Sequence, residues 1–125
     1  MLFRSSNAGW QRDLSVSHSK VGDVRLAQGD LAGALLAFQA SMDVVKALAA
    51  SDPSNAGWQR DLSSSFTRLA QICEQQGERP RSLEYAEKSL LIDERLAALD
   101  PTNATWQNDV KVSRAMVARL KMAGG

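Results

Sequence analysis

The chain holds one histidine, His18, and one cysteine, Cys73. A zinc-type site needs three or four convergent ligands, and this pair does not supply them. A thiol nucleophile needs a base to activate it, and no histidine stands in the part of the chain around Cys73. Gly29 and Gly77 are isolated glycines rather than a Gly-x-x-x-x-Gly-Lys run able to cradle phosphate. No buried polar cluster of the kind a helical enzyme requires is legible. The residue types therefore point away from catalysis, from a bound metal and from a cofactor.

Composition narrows the classes further. The 125 residues carry 15 basic and 14 acidic side chains, a formal charge of +1. Such a balance sets up no broad field for nucleic acid or an anionic membrane. A lone cysteine excludes an internal disulfide and suits a reducing compartment. The start, Met1 to Ser6, lacks the apolar core of a signal peptide, and no run approaches the ~18 apolar residues of a membrane span. The expectation is a soluble cytoplasmic protein of one domain. Asn103-Ala104-Thr105 matches a glycosylation sequon but reads better as a helix start.

What organises the chain is a repeated decamer. Ser6–Ser15 and Ser54–Ser63 both read Ser-Asn-Ala-Gly-Trp-Gln-Arg-Asp-Leu-Ser, without one change. A degraded copy, Thr-Asn-Ala-Thr-Trp-Gln-Asn-Asp-Val-Lys, begins at Thr102. Trp10, Trp58 and Trp106 are each 48 residues apart, so no insertion separates the copies. A fixed period of this order marks a stacked repeat array. The repeats run 6–53 and 54–101, and a half repeat spans 102–125.

Within each repeat the apolar period is helical. Trp10, Leu14, Val21 and Val24 mark the first helix, and Trp58, Leu62, Phe66, Leu69 and Cys73 its counterpart in repeat two. Leu31, Leu35, Phe38, Met42, Val45 and Ala49 form an unbroken stripe between them. Asn7, Asn55 and Asn103 stand where helix N-caps belong. Asp52-Pro53 and Asp100-Pro101 end the helices before them. Gly29-Asp30 and Gly77-Glu78 divide each pair, with Pro80 in the first turn of the helix that follows. The pattern predicts five helices, at about 8–28, 31–51, 56–76, 79–99 and 104–122, with neighbours antiparallel and no sheet.

At this point the chain resembles the tetratricopeptide repeat, whose pattern is Trp-x2-Leu-Gly-x2-Tyr, then Ala-x3-Phe, then Pro. Repeat one carries His18-x2-Val21-Gly22-x2-Arg25 and Ala34-x3-Phe38; repeat two carries Phe66-x2-Leu69-Ala70-x2-Cys73 and Ser82-x3-Ala86. His18 and Arg25 depart from the aromatic positions, and the period is 48 rather than 34. About two extra turns on each helix account for the difference, as in the long-helix variants found in kinesin light chains and bacterial multi-repeat proteins. The resemblance implies a right-handed superhelix of antiparallel helix pairs, an α-solenoid, that binds a peptide or protein along its concave face. Carried over by position, the groove residues are Ser19, Lys20, Asp23 and Leu26; Thr67, Arg68, Gln71, Glu74 and Gln75; and Ala115, Met116, Arg119 and Met122. Asp23 and Glu74 dilute the cations that a carboxylate clamp would need.

The decamer itself reads as packing: Trp10, Leu14, Trp58, Leu62 and Trp106 serve the repeat interface. Trp58 is expected to be buried near Leu48, and Arg12-Asp13 and Arg60-Asp61 to pair between repeats. The function that this resemblance implies is a protein-interaction scaffold. The rival is a self-associating or spacer segment of a longer repeat protein. Two features motivate the rival. Only Leu2 and Phe3 are at hand to cover Trp10 and Leu14, and the last helix carries Val110, Val112, Met116, Val117, Leu120 and Met122. Association of like ends into a homodimer is the expectation that follows.

Overall fold

The second and third copies of the decamer each begin at a turn that their own side chains build. Asn55 Oδ1 accepts from the Trp58 N–H at 3.0 Å, and Asn103 Oδ1 from the Trp106 N–H at 3.0 Å. Both satisfy a first-turn donor that a helix leaves unpaired. Upstream, the Asp52 and Asp100 carbonyls accept from the Asn55 and Asn103 amides, each at 3.0 Å. The Asp-Pro-x-Asn sequence is thus one turn used twice.

The computed structural model describes residues 2–124, with side chains from 8 to 122. Five helices follow in order: α1 (Leu2–Ala27), α2 (Leu31–Ser51), α3 (Ala56–Gln75), α4 (Arg79–Leu99) and α5 (Ala104–Gly124). No strand occurs among the described residues. Gly29 and Gly77 both take φ +80°, the left-handed turn that glycine adopts without a Cβ penalty. Asp30 Oδ1 then caps α2 through the Gly33 N–H at 2.9 Å, whereas Glu78 makes no side-chain cap to α4. At one boundary the expectation fails. α1 runs through Asn7 as helix, so Asn7 is no N-cap. Leu2 and Phe3, expected to cover Trp10, lie outside the described side chains.

Consecutive helices pack on one another, the arrangement of a helical repeat. The core repeats with the sequence. Ala34 and Phe38 of α2 cluster with Leu69 and Ile72 of α3; 48 residues on, Ala86 of α4 clusters with Val117 and Leu120 of α5. A third cluster joins Phe66, Ile92 and Leu96, with Trp106 packed against it. α2 is long and apolar enough, by length and composition alone, to cross a membrane; here it is the helix that both α1 and α3 pack against.

One expectation about burial is corrected. Trp58 is half-buried and belongs to none of the three clusters. Val21 and Val24, which recur at the helical spacing of the first helix, are 45% and 57% exposed. Their counterparts Leu69 and Ile72 are 0% and 1% exposed because α2 covers them, and no described helix stands before α1 to do the same.

Candidate functional site

The side chains of the decamer account for how the odd-numbered helices line up. Gln59 Nε2 donates to the Ala49 carbonyl at 3.4 Å, and Gln107 Nε2 to the Ala97 carbonyl at 3.1 Å, tying each helix start to the end of the helix before it. Arg12 reaches from α1 to Asp61 on α3, and Arg60 from α3 to Asp109 on α5 with two bonds of 2.7 and 3.2 Å. A second row crosses the same gaps, Arg68 to Asp23 and Arg119 to Glu74. α1, α3 and α5 therefore form one face, laced by ion pairs at two levels. The Arg119 hydrogen bond holds the Glu74 carboxyl below its usual range.

Below this face lie hydroxyl networks that also repeat. Ser41 Oγ donates to the Ser15 carbonyl and accepts from Ser19 Oγ, both at 2.8 Å. Shifted by 48, Ser89 Oγ bonds Ser63 Oγ at 2.8 Å and Thr67 Oγ1 at 2.9 Å. The second network holds one group more: Asp93 of α4, only 5% exposed, stands where α2 has Val45. Its carboxylate accepts from Ser63 Oγ at 2.5 Å and from Ser113 Oγ of α5. No ion-pair partner reaches it among the described residues. This buried polar cluster is what the sequence reading did not foresee.

Burial pushes the Asp93 carboxyl above its usual range, while the Ser113 and Ser63 hydroxyls pull it back. A proton count shows how the protonated form is accommodated. Ser113 Oγ also lies 2.6 Å from the Asp109 carbonyl, and one hydroxyl proton serves only one acceptor. A protonated Asp93 donates to Ser113, which is then released to donate to Asp109. An ionised Asp93 accepts the Ser113 hydrogen bond in place of the Asp109 carbonyl.

Two cavities open on the odd-helix face, one per repeat. The first, about 320 Å³, lies between α1 and α3 and is lined by Ser19, Lys20, Asp23 and Arg68 above Val45 and Ser41. The second, about 290 Å³, lies between α3 and α5 and is lined by Thr67, Arg68, Val112 and Met116 above Asp93. Ser64 and Arg68 border both. A larger and more apolar cavity, about 480 Å³, sits elsewhere, between the Pro53 turn and Leu99.

The thirteen expected groove residues divide accordingly. Ser19, Lys20, Asp23, Thr67, Arg68 and Met116 line the cavities; Leu26, Gln71, Glu74, Gln75, Ala115, Arg119 and Met122 line neither. Asp23, Arg68, Glu74 and Arg119 spend their charge on one another, and Ser19 and Thr67 belong to the hydroxyl networks. Arg68 also lies 4.6 Å over the Phe38 ring. Neither His18 nor Cys73 lines either cavity. Cys73 is fully buried, and burial pushes its thiol up. Ser15, Ser41, Ser63, Ser89 and Asp93 were missed. The signal for the serines was their recurrence at 48; for Asp93 it was a carboxylate at an apolar position of the repeat. No protein-family model matches the chain, and the curated proteins include no match to it.

Proposed function

We propose that this protein is an interaction module of the tetratricopeptide type, whose odd-numbered helices line the concave side of a right-handed superhelix and take an extended peptide from a protein partner. The observation that carries the reading is the pair of cavities on the α1–α3–α5 face, spaced by the repeat and joined at Ser64 and Arg68. An extended chain presents side chains at regular intervals, and a row of similar pockets reads such a chain. The partner is a protein or peptide rather than nucleic acid or membrane, the setting cytoplasmic, and the role non-enzymatic scaffolding.

The test is a nonapeptide library passed over the whole chain. Selected peptides should be lost on Lys20→Glu combined with Ser64→Phe, two exposed positions bordering the cavities, while helicity and Tm hold. Retention by the double variant would place binding on another surface.

A second reading, self-association through α1, is favoured by a difference between the ends. The face of α5 that corresponds to the α4-facing side of α3 carries Lys111, Arg114, Ala118 and Lys121, all exposed. The uncovered face of α1 carries Trp10, Val21 and Val24. Head-to-tail stacking would set that apolar face against cations. Two copies meeting α1 to α1 bury apolar surface on apolar surface and close as a two-fold dimer.

A further inference from the structure

Asp93 distinguishes the two cavities. Each is bordered by an arginine–aspartate pair, Arg12 with Asp61 and Arg60 with Asp109, but the first has Val45 where the second has a carboxylate. An ionised group buried without a counter-charge is costly, and hydroxyl donors offset only part of that cost. The other charges around the second cavity are matched already, Arg60 by Asp109 and Arg68 by Asp23. A ligand entering there meets one uncompensated negative charge. Above it, Val112 and Met116 offer apolar walls of the kind that the methylene stem of a long basic side chain lies against.

We propose that the cavity between α3 and α5 is a recognition pocket for the cationic end of a lysine or arginine side chain, held by Asp93 with Ser63 and Ser113. This rests on the groove reading above and names what one of its pockets selects. The ammonium or guanidinium donates to the carboxylate oxygens, forming a charge-assisted pair in a site largely shielded from water. The Ser63 and Ser113 hydroxyls keep the carboxylate pointed while the pocket is empty. Acidic side chains are disfavoured by the same Asp93 carboxylate. The first cavity has Val45 in place of Asp93 and carries Lys20 on its lining, so the two pockets read a partner in a fixed direction, with the basic side chain over repeat two and not over repeat one.

The test uses the whole chain and two probes. N-acetyl-lysine methylamide, titrated at millimolar concentration, should shift the amide resonances of Ser63, Val112 and Ser113 and leave Ser15 and Ser41 unmoved. The norleucine analogue should shift neither set. In Asp93→Asn, which keeps the shape of the side chain, the lysine shifts should disappear, as they should in Asp93→Val, which copies repeat one. In the nonapeptide library, native protein should prefer Lys or Arg over norleucine at one position by about ten-fold, the size of one charge-assisted hydrogen bond, and Asp93→Asn should select neither. Peptides selected without a basic position, or lysine shifts that survive Asp93→Asn, would overturn the pocket while leaving the groove intact. A library that selects nothing would remove the groove itself.

Discussion

The ring of Phe38 on α2 lies across Gly22 on α1, so close that a Cβ on Gly22 would stand 2.7 Å from Phe38 Cε2. Repeat two solves the same contact with different residues: Ala70 stands where Gly22 does and Ala86 where Phe38 does, both buried in one cluster. A larger residue on one helix is matched by a smaller one on its partner. Gly22→Ala should therefore destabilise by ~1–3 kcal/mol through overpacking, less the ~1 kcal/mol that alanine gains in helix propensity. In a Phe38→Ala background, which copies the second repeat, that cost should vanish. Urea denaturation of the four proteins decides it; the same cost in both backgrounds would show that the contact is not responsible.

The three tryptophans should differ despite their common motif. Trp106 packs against the Phe66, Ile92 and Leu96 cluster, whereas Trp10 is 63% exposed. Trp106→Ala should lower the Tm clearly, by less than the ~3–5 kcal/mol of a fully buried aromatic. Trp10→Ala should leave the Tm of the monomer nearly unchanged. Equal losses at both positions would contradict the packing described.

Two carboxylates should respond to pH with opposite signs. The raised Asp93 value means that the folded chain binds the more protons above the usual aspartate value of about 3.9. Its stability then falls as pH rises through that window, so native protein should gain on Asp93→Asn as pH drops from neutral towards about 4. Glu74 is held low by Arg119. Its contribution is present above the usual glutamate value of about 4.3 and is lost as pH falls through the lowered folded value; Glu74→Gln should be indifferent there. Denaturation midpoints across a pH series read both, and a gap between native and Asp93→Asn that stays flat would refute the first.

The ion pairs between odd helices align repeats more than they stabilise them. Arg60 makes two bonds to Asp109, yet its side chain is 46% exposed. Arg60→Gln should cost only ~0–1 kcal/mol, and added salt should shrink the difference. A loss that persists in 1 M salt would mean that the pair is shielded in a way the geometry does not show.

If α1 meets α1 in a second copy, the apolar face must be dry. Light scattering on the untagged chain should show a dimer within ~10–100 μM, a range in which moderate apolar interfaces associate, and Val24→Glu or Trp10→Glu should return it to monomer. A native monomer across that range would remove this reading.

By itself the sequence determined the elements and their order. The 48-residue recurrence, the Asp-Pro-x-Asn turns and the glycines at Gly29 and Gly77 are local signals, set by hydrogen bonds and φ angles within a few residues, so three of the five helices fall within a residue of where the pattern put them and a fourth within two. The cross-repeat pairing of the decamer arginines was legible for the same reason, since a repeat carries its neighbour's partner. Tertiary structure alone decided which faces are covered. Val21 and Leu69 occupy the same place in the repeat, and only the presence of α2 separates 45% exposure from 0%. It also decided what lies beneath the groove. Ser63 and Ser113 come from two different helices to hold Asp93 on a third. Helical periodicity within one element carries no record of such a meeting, because burial belongs to the neighbours a side chain acquires and not to the side chain itself.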